Sequence, residues 1–453
     1  MVNRTNASPR VLWWCWVAVL VSWVVVSEIR RLLDWRAGFH ASQVLVAVPL
    51  LSTCILAIVI VFRLHTSISR RMLLLAWIWA GSFVYAGIVG WMSGLGAASI
   101  YDLLQFVAPM FVALLFAAGE EPLLQAFKRV STVILAIATA VGVYGIIQYT
   151  VLPPWDAAWL QHAAIVQGMV TNGLARPLEV RVFSVLNSSE PCASFLAVAV
   201  ALNLYRLNDG RIFPMVGMLV CAITLLLTLE RSAWVGLAAA VIVYALLSRK
   251  PLRAVSVGLA CGAIVAALFL FLSPSLAAQT GDAQSGKNSI ALRFETFMHL
   301  GTDVSANARV VETAGLVSAA IAYPTGEGLG IIGTSAQLAS FAGAINAIDG
   351  GLQARLAEMG FAGAAGYCVV LLLTFGVAIE RWREARKSGN DAESDLFASL
   401  LAVQTVLIVL DFSIDSHVGL PGVLFWMTVG MTLSRGKALA TETASLGFQP
   451  AAC

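Results

Sequence analysis

A bilayer core is crossed by roughly 20 apolar residues in helical form, and runs of that kind recur along almost the whole of this chain. About twelve are present, near residues 11–27, 43–62, 72–92, 101–118, 130–151, 191–205, 213–229, 232–247, 254–273, 357–379, 396–413 and 420–434. Lipid offers no water to the backbone, so every peptide group in such a run must be satisfied internally, and runs of this length do that as helices. The expected fold class is all-α: a polytopic membrane protein of about 12 transmembrane helices. Composition agrees, with 59% hydrophobic and only 12% charged residues in 453, and it excludes a soluble enzyme.

Lys and Arg set the orientation. With Arg4 and Arg10 on the cytoplasmic side, Arg63, Arg70, Arg71, Lys128, Arg129, Arg206, Arg211, Arg249, Lys250, Arg253, the cluster from Glu380 to Lys387, and Arg435 with Lys437 all fall on that side. This is a strong positive-inside pattern, and it places both termini in the cytoplasm. The first outward loop is the exception: Arg30, Arg31 and Arg36 are offset there by Glu28 and Asp34. The net charge of +3 is therefore spent on topology, and nucleic acid is not an indicated partner. Residues 1–435 read as one membrane domain with two long outward loops, 152–190 and 274–355, the second between helices nine and ten. Residues 436–453 read as a disordered cytoplasmic tail. The amino terminus has the charged and apolar regions of a signal peptide without a small-residue cleavage site, so it reads as a retained signal anchor.

The seven cysteines include no CxxC pair and fall mostly inside apolar runs, where they act as small hydrophobes. His162, His299 and His417 are candidates for the outward side, yet no pair has metal-ligand spacing. No metal and no cofactor is expected.

Charge gathers instead in the loop 274–355, with Asp282, Lys287, Arg293, Glu295, Asp303, Arg309 and Glu312. It then carries Thr325-Gly-Glu-Gly-Leu-Gly330 and, just before the chain re-enters lipid, Asp349-Gly-Gly-Leu352. The glycines follow no strand and lack the Lys-Ser/Thr of a P-loop, so they read as a flexible turn. Three arginines face outward against the positive-inside bias: Arg181, Arg231 and Arg293. Each alone can snorkel or pair with an acid such as Glu230, but together they suit an anion, and a guanidinium fork matches a diphosphate. Arg309 and Arg355 are reserves for the same task. Asp349 has two readings, a general base or the N-cap of the tenth span, and Gly350 and Gly351 behind it allow close approach of backbone or ligand.

Taken in order, these segments resemble the O-antigen ligase and Wzy-type polysaccharide polymerase superfamily. Arg181–Ala197 is similar to that family's arginine-led entry to a span, and Leu227–Gly236 to its Thr-x-Ser-Arg turn. Pro324–Gly330 is similar to its Gly-x-Gly segment, and Asp349–Gly360 to its closing signature, with Leu356, Glu358 and Gly360 in register. The resemblance covers roughly residues 175–380. Where the family's ligases have His-Asn, this chain has Asp349-Gly350, which looks more like the polymerases.

The resemblance implies an inverting, metal-independent glycosyltransferase of a bacterial inner membrane, working on the periplasmic face. It would join repeat units of a glycan carried on undecaprenyl diphosphate, with membrane lipid, a flippase and a chain-length regulator as partners. Arg181, Arg231 and Arg293 would hold the diphosphate and Asp349 would activate the acceptor. Ligation of the glycan to a lipid acceptor is the alternative within the family. A transporter or flippase is the alternative outside it. Two similar six-span halves are missing, however, the loop Arg63–Arg71 lacks glycines, and intramembrane charges are scarce, Asp411 being a rare case.

Overall fold

A computed structural model describes residues 9–39, 43–63, 68–119, 121–167, 173–208, 212–250, 318, 320–321, 323–336, 348 and 350–434. The described residues form helices and no strand; a single antiparallel bridge joins Gly173 to Val180. In chain order the helices are α1 (Pro9–Ala37), α2 (Val48–Arg63), α3 (Arg70–Met92), α4 (Gly96–Val107), α5 (Met110–Ala117), α6 (Leu123–Thr150) and α7 (Pro154–Gln167). Then follow α8 (Ser189–Asn203), α9 (Ile212–Leu227), α10 (Arg231–Leu247), α11 (Gly351–Lys387), α12 (Asp391–Asp411) and α13 (Gly419–Leu433), with a single turn at Gly333–Ala336 before α11.

Among the described residues, 7 helices are long and apolar enough to cross a membrane, with α4 and α5 counting as one broken span, and α9, α10 and α13 are shorter apolar helices. The chain is thus an all-helical, polytopic membrane protein. The expected run 254–273 and most of the loop 274–355 lie outside the described residues, as does the tail 436–453.

Local sequence explains the main breaks. Pro109 lacks an amide proton and marks the break between α4 and α5. Ser69 caps α3 by accepting the Met72 amide at 3.2 Å, and Asn390 caps α12 by accepting that of Glu393 at 3.2 Å. Inside α11, Gly360 sits at φ 59° and ψ −166°, which divides the 37 residues into two stacked helices.

One boundary differs from expectation. The positive residues placed in a first outward loop belong to α1, which runs on to Ala37. Glu28 and Arg31 pair at i,i+3, and Arg30 and Asp34 at i,i+4, so the charges hold the helix together rather than ending it.

The bundle is apolar on the outside as well as within. Trp77, Met92 and Phe213 are exposed on spans or apolar helices, the faces a bilayer covers. α12 and α13 lie inside: α12 packs on α10, α11 and α8, and α13 on α5. Within lipid, helices associate through close packing and small residues. Gly430 of α13 meets the Ala113 backbone of α5 so closely that an added Cβ would lie 2.4 Å from the Ala113 oxygen. Phe83 stacks on Phe106 at 4.3 Å, and Trp79 meets Trp426 edge-on at 5.3 Å. Each such aromatic pair contributes about 0.5–1.5 kcal/mol beyond simple contact.

Candidate functional site

A cavity of about 480 Å³ opens among α1, α4, the amino end of α8, the segment 332–335, the amino end of α11 and the turn between α12 and α13. Its centre is Arg355, only 2% exposed, one turn into α11. Nη2 of Arg355 lies 2.9 Å from Asp415 Oδ2 and 3.1 Å from Glu358 Oε2, and the guanidinium lies 4.2 Å over the Phe106 ring. Its Nε and Nη1 are buried without a hydrogen-bond partner, as is Asp415 Oδ1. Glycine makes this position possible. A Cβ on Gly351 would stand 2.2 Å from Asp411 Oδ1 and 3.2 Å from the Asp415 Cα, so glycine lets α11 begin there without displacing the Asp411 carboxylate.

Across the cavity, Asp102 of α4 accepts the Ser335 hydroxyl at 2.7 Å, and the Gly330 amide faces both Asp102 and Glu358. Glu190 and Arg30 complete the charged wall, giving four carboxylates against two guanidiniums. Burial pushes the Asp415 carboxyl up from its ordinary range, against the pull of Arg355.

The glycine-rich stretch is not the free turn expected of it. The Glu327 and Gly328 amides donate to the Ala357 and Glu358 carbonyls at 2.9 Å each. On the other side the Leu329 amide donates to Ala86 at 3.0 Å, and Ser99 donates to the Leu329 carbonyl at 2.6 Å. Gly326, Gly328 and Gly330 have φ of 75°, 97° and 94°, and a Cβ on Gly328 would lie 2.2 Å from the Gly90 backbone. The stretch is a buried strap clamped between α3, α4 and α11. Pro324 and Gly326 fill the break at Gly360, where an added Cβ would meet the Pro324 oxygen at 2.0 Å.

A second charged group supports the opposite wall. Arg31 of α1, 2% exposed, pairs with Glu28 and with Asp156 of α7 at 2.8 Å, and donates to the Ser184 and Leu186 carbonyls at 2.5 Å each. Gln148 of α6 accepts the Phe183 and Ser184 amides at 3.0 and 2.8 Å and donates to Asp156 at 2.7 Å. Five polar side chains on α1, α6 and α7, Tyr144 included, thereby fix the loop that delivers Leu186, Asn187 and Glu190 to the cavity. Ser184 itself is held at φ 53°, a strained backbone for a residue with a side chain.

Beside that loop, Arg181 is ion-paired with Glu230, which also accepts the Ser189 hydroxyl at 2.8 Å. The Val182 amide donates to Leu227 at 3.0 Å, tying the two segments together. Arg231 begins α10 immediately after Glu230, and Leu229 is strained at φ 59°. Below the cavity, Tyr367 donates to Asp411 at 2.8 Å, and His417 Nδ1 lies 2.8 Å from the Tyr367 oxygen and 3.1 Å from Asp411 and Ser416. His417 is fully buried, and His162 stacks on Phe39.

Of the six residues singled out in the sequence, Arg355 lines the cavity. Arg181 and Arg231 flank Glu230 and do not line it, although Ser189, the neighbour of Glu190 in the chain, donates to Glu230. Arg293, Arg309 and Asp349 lie outside the described residues, as do Asp282, Lys287, Glu295, Asp303, Glu312 and His299. Sequence reasoning passed over Asp102 and Asp415, whose one signal was an acid within or between apolar runs. No group of His, Cys, Asp or Glu side chains that could hold a metal ion occurs among the described residues. No protein-family model matches the chain, and no curated protein matches it either.

Proposed function

We propose that this chain is a membrane glycosyltransferase that joins repeat units of a glycan carried on a polyprenyl diphosphate, at the outward face of a bacterial inner membrane with both termini in the cytoplasm. One observation carries the reading. The four segments that resemble the polymerase and ligase superfamily pack in two pairs, 181–190 with 227–231 and 324–330 with 357–360, and one member of each pair lines the same cavity, through Leu186, Asn187 and Glu190 and through Glu358. Nothing local in the sequence requires segments so far apart to meet there.

The chemistry follows from the residue types. An acceptor hydroxyl attacks the anomeric carbon of the donor, the carbon–oxygen bond to the diphosphate breaks with inversion, and Asp349 takes the hydroxyl proton. Arg181, Arg231 and Arg293 stabilise the charge that develops on the departing diphosphate. Arg181 must exchange Glu230 for the ligand to do so.

Purified protein in nanodiscs, given a lipid-linked repeat unit and no second acceptor, should build a ladder of longer products. Transfer only when a different lipid acceptor is supplied would favour the ligase role. The buried charges Arg355, Glu358 and Asp102 are also a feature expected of a flippase. Movement of the lipid-linked unit across a sealed vesicle without any new glycosidic bond would replace the enzyme reading.

A further inference from the structure

We infer that the cavity beside Arg355 is the subsite for the hydroxyl-rich glycan of the substrate and not for its diphosphate, an inference that rests on the glycosyltransferase reading. The pairing of the two guanidiniums decides it. Asp102, Glu190, Glu358 and Asp415 line the cavity with Arg30 and Arg355, and Arg30 lies 3.7 Å from Asp34 while Arg355 is held between Glu358 and Asp415. A diphosphate placed there would compete with carboxyl groups already seated on both guanidiniums and has no proton to give the unpartnered Asp415 Oδ1.

Sugar hydroxyls fit the same wall. A carboxyl group accepts from a sugar hydroxyl and, where it keeps its proton, also donates to one. Asp415 Oδ1 is a buried acceptor with no partner, and Arg355 Nε and Nη1 are buried donors with none. Donors and acceptors side by side are what a polyol satisfies and a simple anion does not. Trp23 and Tyr101 supply aromatic surface to the same cavity for the apolar face of a sugar ring. Its volume falls within the range of roughly 300–1,000 Å³ common to small-ligand sites. The diphosphate then lies on the Arg181 and Arg231 side, beyond Glu190.

The test uses the full-length protein in nanodiscs and two probes. One is the repeat-unit oligosaccharide released from the producing strain's own surface polysaccharide; the other is inorganic diphosphate. Calorimetry should show that Asp415→Asn and Asp102→Asn each weaken oligosaccharide binding about tenfold or more and leave diphosphate binding unchanged. Asp415 is the more accessible of the two, so it remains informative if the Asp102 variant does not fold. Three results overturn the inference: no oligosaccharide binding by the wild type, unchanged oligosaccharide binding in Asp415→Asn, or tighter diphosphate binding on that same neutralisation. The glycosyltransferase reading is scored separately by ladder formation from the lipid-linked unit. A protein that makes the ladder yet shows one of those three results keeps its activity and loses this subsite.

Discussion

Arg355 Nη2 and Asp415 Oδ2 stand 2.9 Å apart although 60 residues separate them in the chain. The pair joins the start of α11 to the turn between α12 and α13, and it holds a guanidinium in a wall that also contains Glu358. Removing one partner of such a buried pair leaves the other charge uncompensated. Arg355→Met should therefore destabilise the protein by about 3–5 kcal/mol. A melting curve in detergent, read by loss of the monodisperse peak, checks it; a shift within error would show that the pair does no structural work.

Asp415 also predicts a pH trend. Its folded-state carboxyl holds its proton to higher pH than the unfolded value of about 3.9. Between those two values the folded chain binds more protons than the unfolded chain, so this residue's contribution is fully present below the unfolded value and lost as pH rises through the folded one. The melting temperature of the wild type minus that of Asp415→Asn should fall as pH is raised from about 4 to neutrality. A difference that rises over that range would mean that Arg355 outweighs burial.

The strap and the lower part of α11 give glycine substitutions of opposite sign. Gly328→Ala puts a methyl group 2.2 Å from the Gly90 backbone at φ 97°, a clash between main chains that no rotamer relieves. Loss of folded protein is expected. Gly376→Ala meets nothing within 4 Å inside a helix and should be neutral or stabilise by about 0.4–1 kcal/mol. Expression and melting of both variants, compared side by side, test the assignment of the strap.

The Arg31 group lends itself to a double-mutant cycle. Arg31→Met and Asp156→Asn should each cost several kcal/mol, and the double variant less than their sum, because each single change strands the other charge. Additive losses would mean that the two residues act independently.

The all-helical membrane class was legible in the sequence because lipid enforces a local rule, about 20 apolar residues per crossing, although 7 helices of that kind stand among the described residues where about twelve runs were expected. What escaped was non-local. Arg30, Arg31 and Arg36 look like loop residues until Asp156, more than a hundred residues on, is seen to close over Arg31. Gly326, Gly328 and Gly330 signal a turn by composition, yet their positive φ serves close packing against Gly90, Ala98 and Gly360. Asp102 gave almost no signal, since a lone acid in an apolar run does not reveal whether Ser335 or lipid faces it. Arg355 was in view only as a reserve, and its place at the centre depends on Gly351, which admits α11 beside Asp411.

The break at Gly360 has a mechanical consequence. A continuous helix turns by about 100° per residue, so one insertion near its end would swing every side chain beyond it. Here the nine residues before the break are registered by Pro324 and Gly326, not by the helix below them. An insertion or deletion between Phe361 and Lys387 should therefore leave Arg355 and Glu358 aimed as they are.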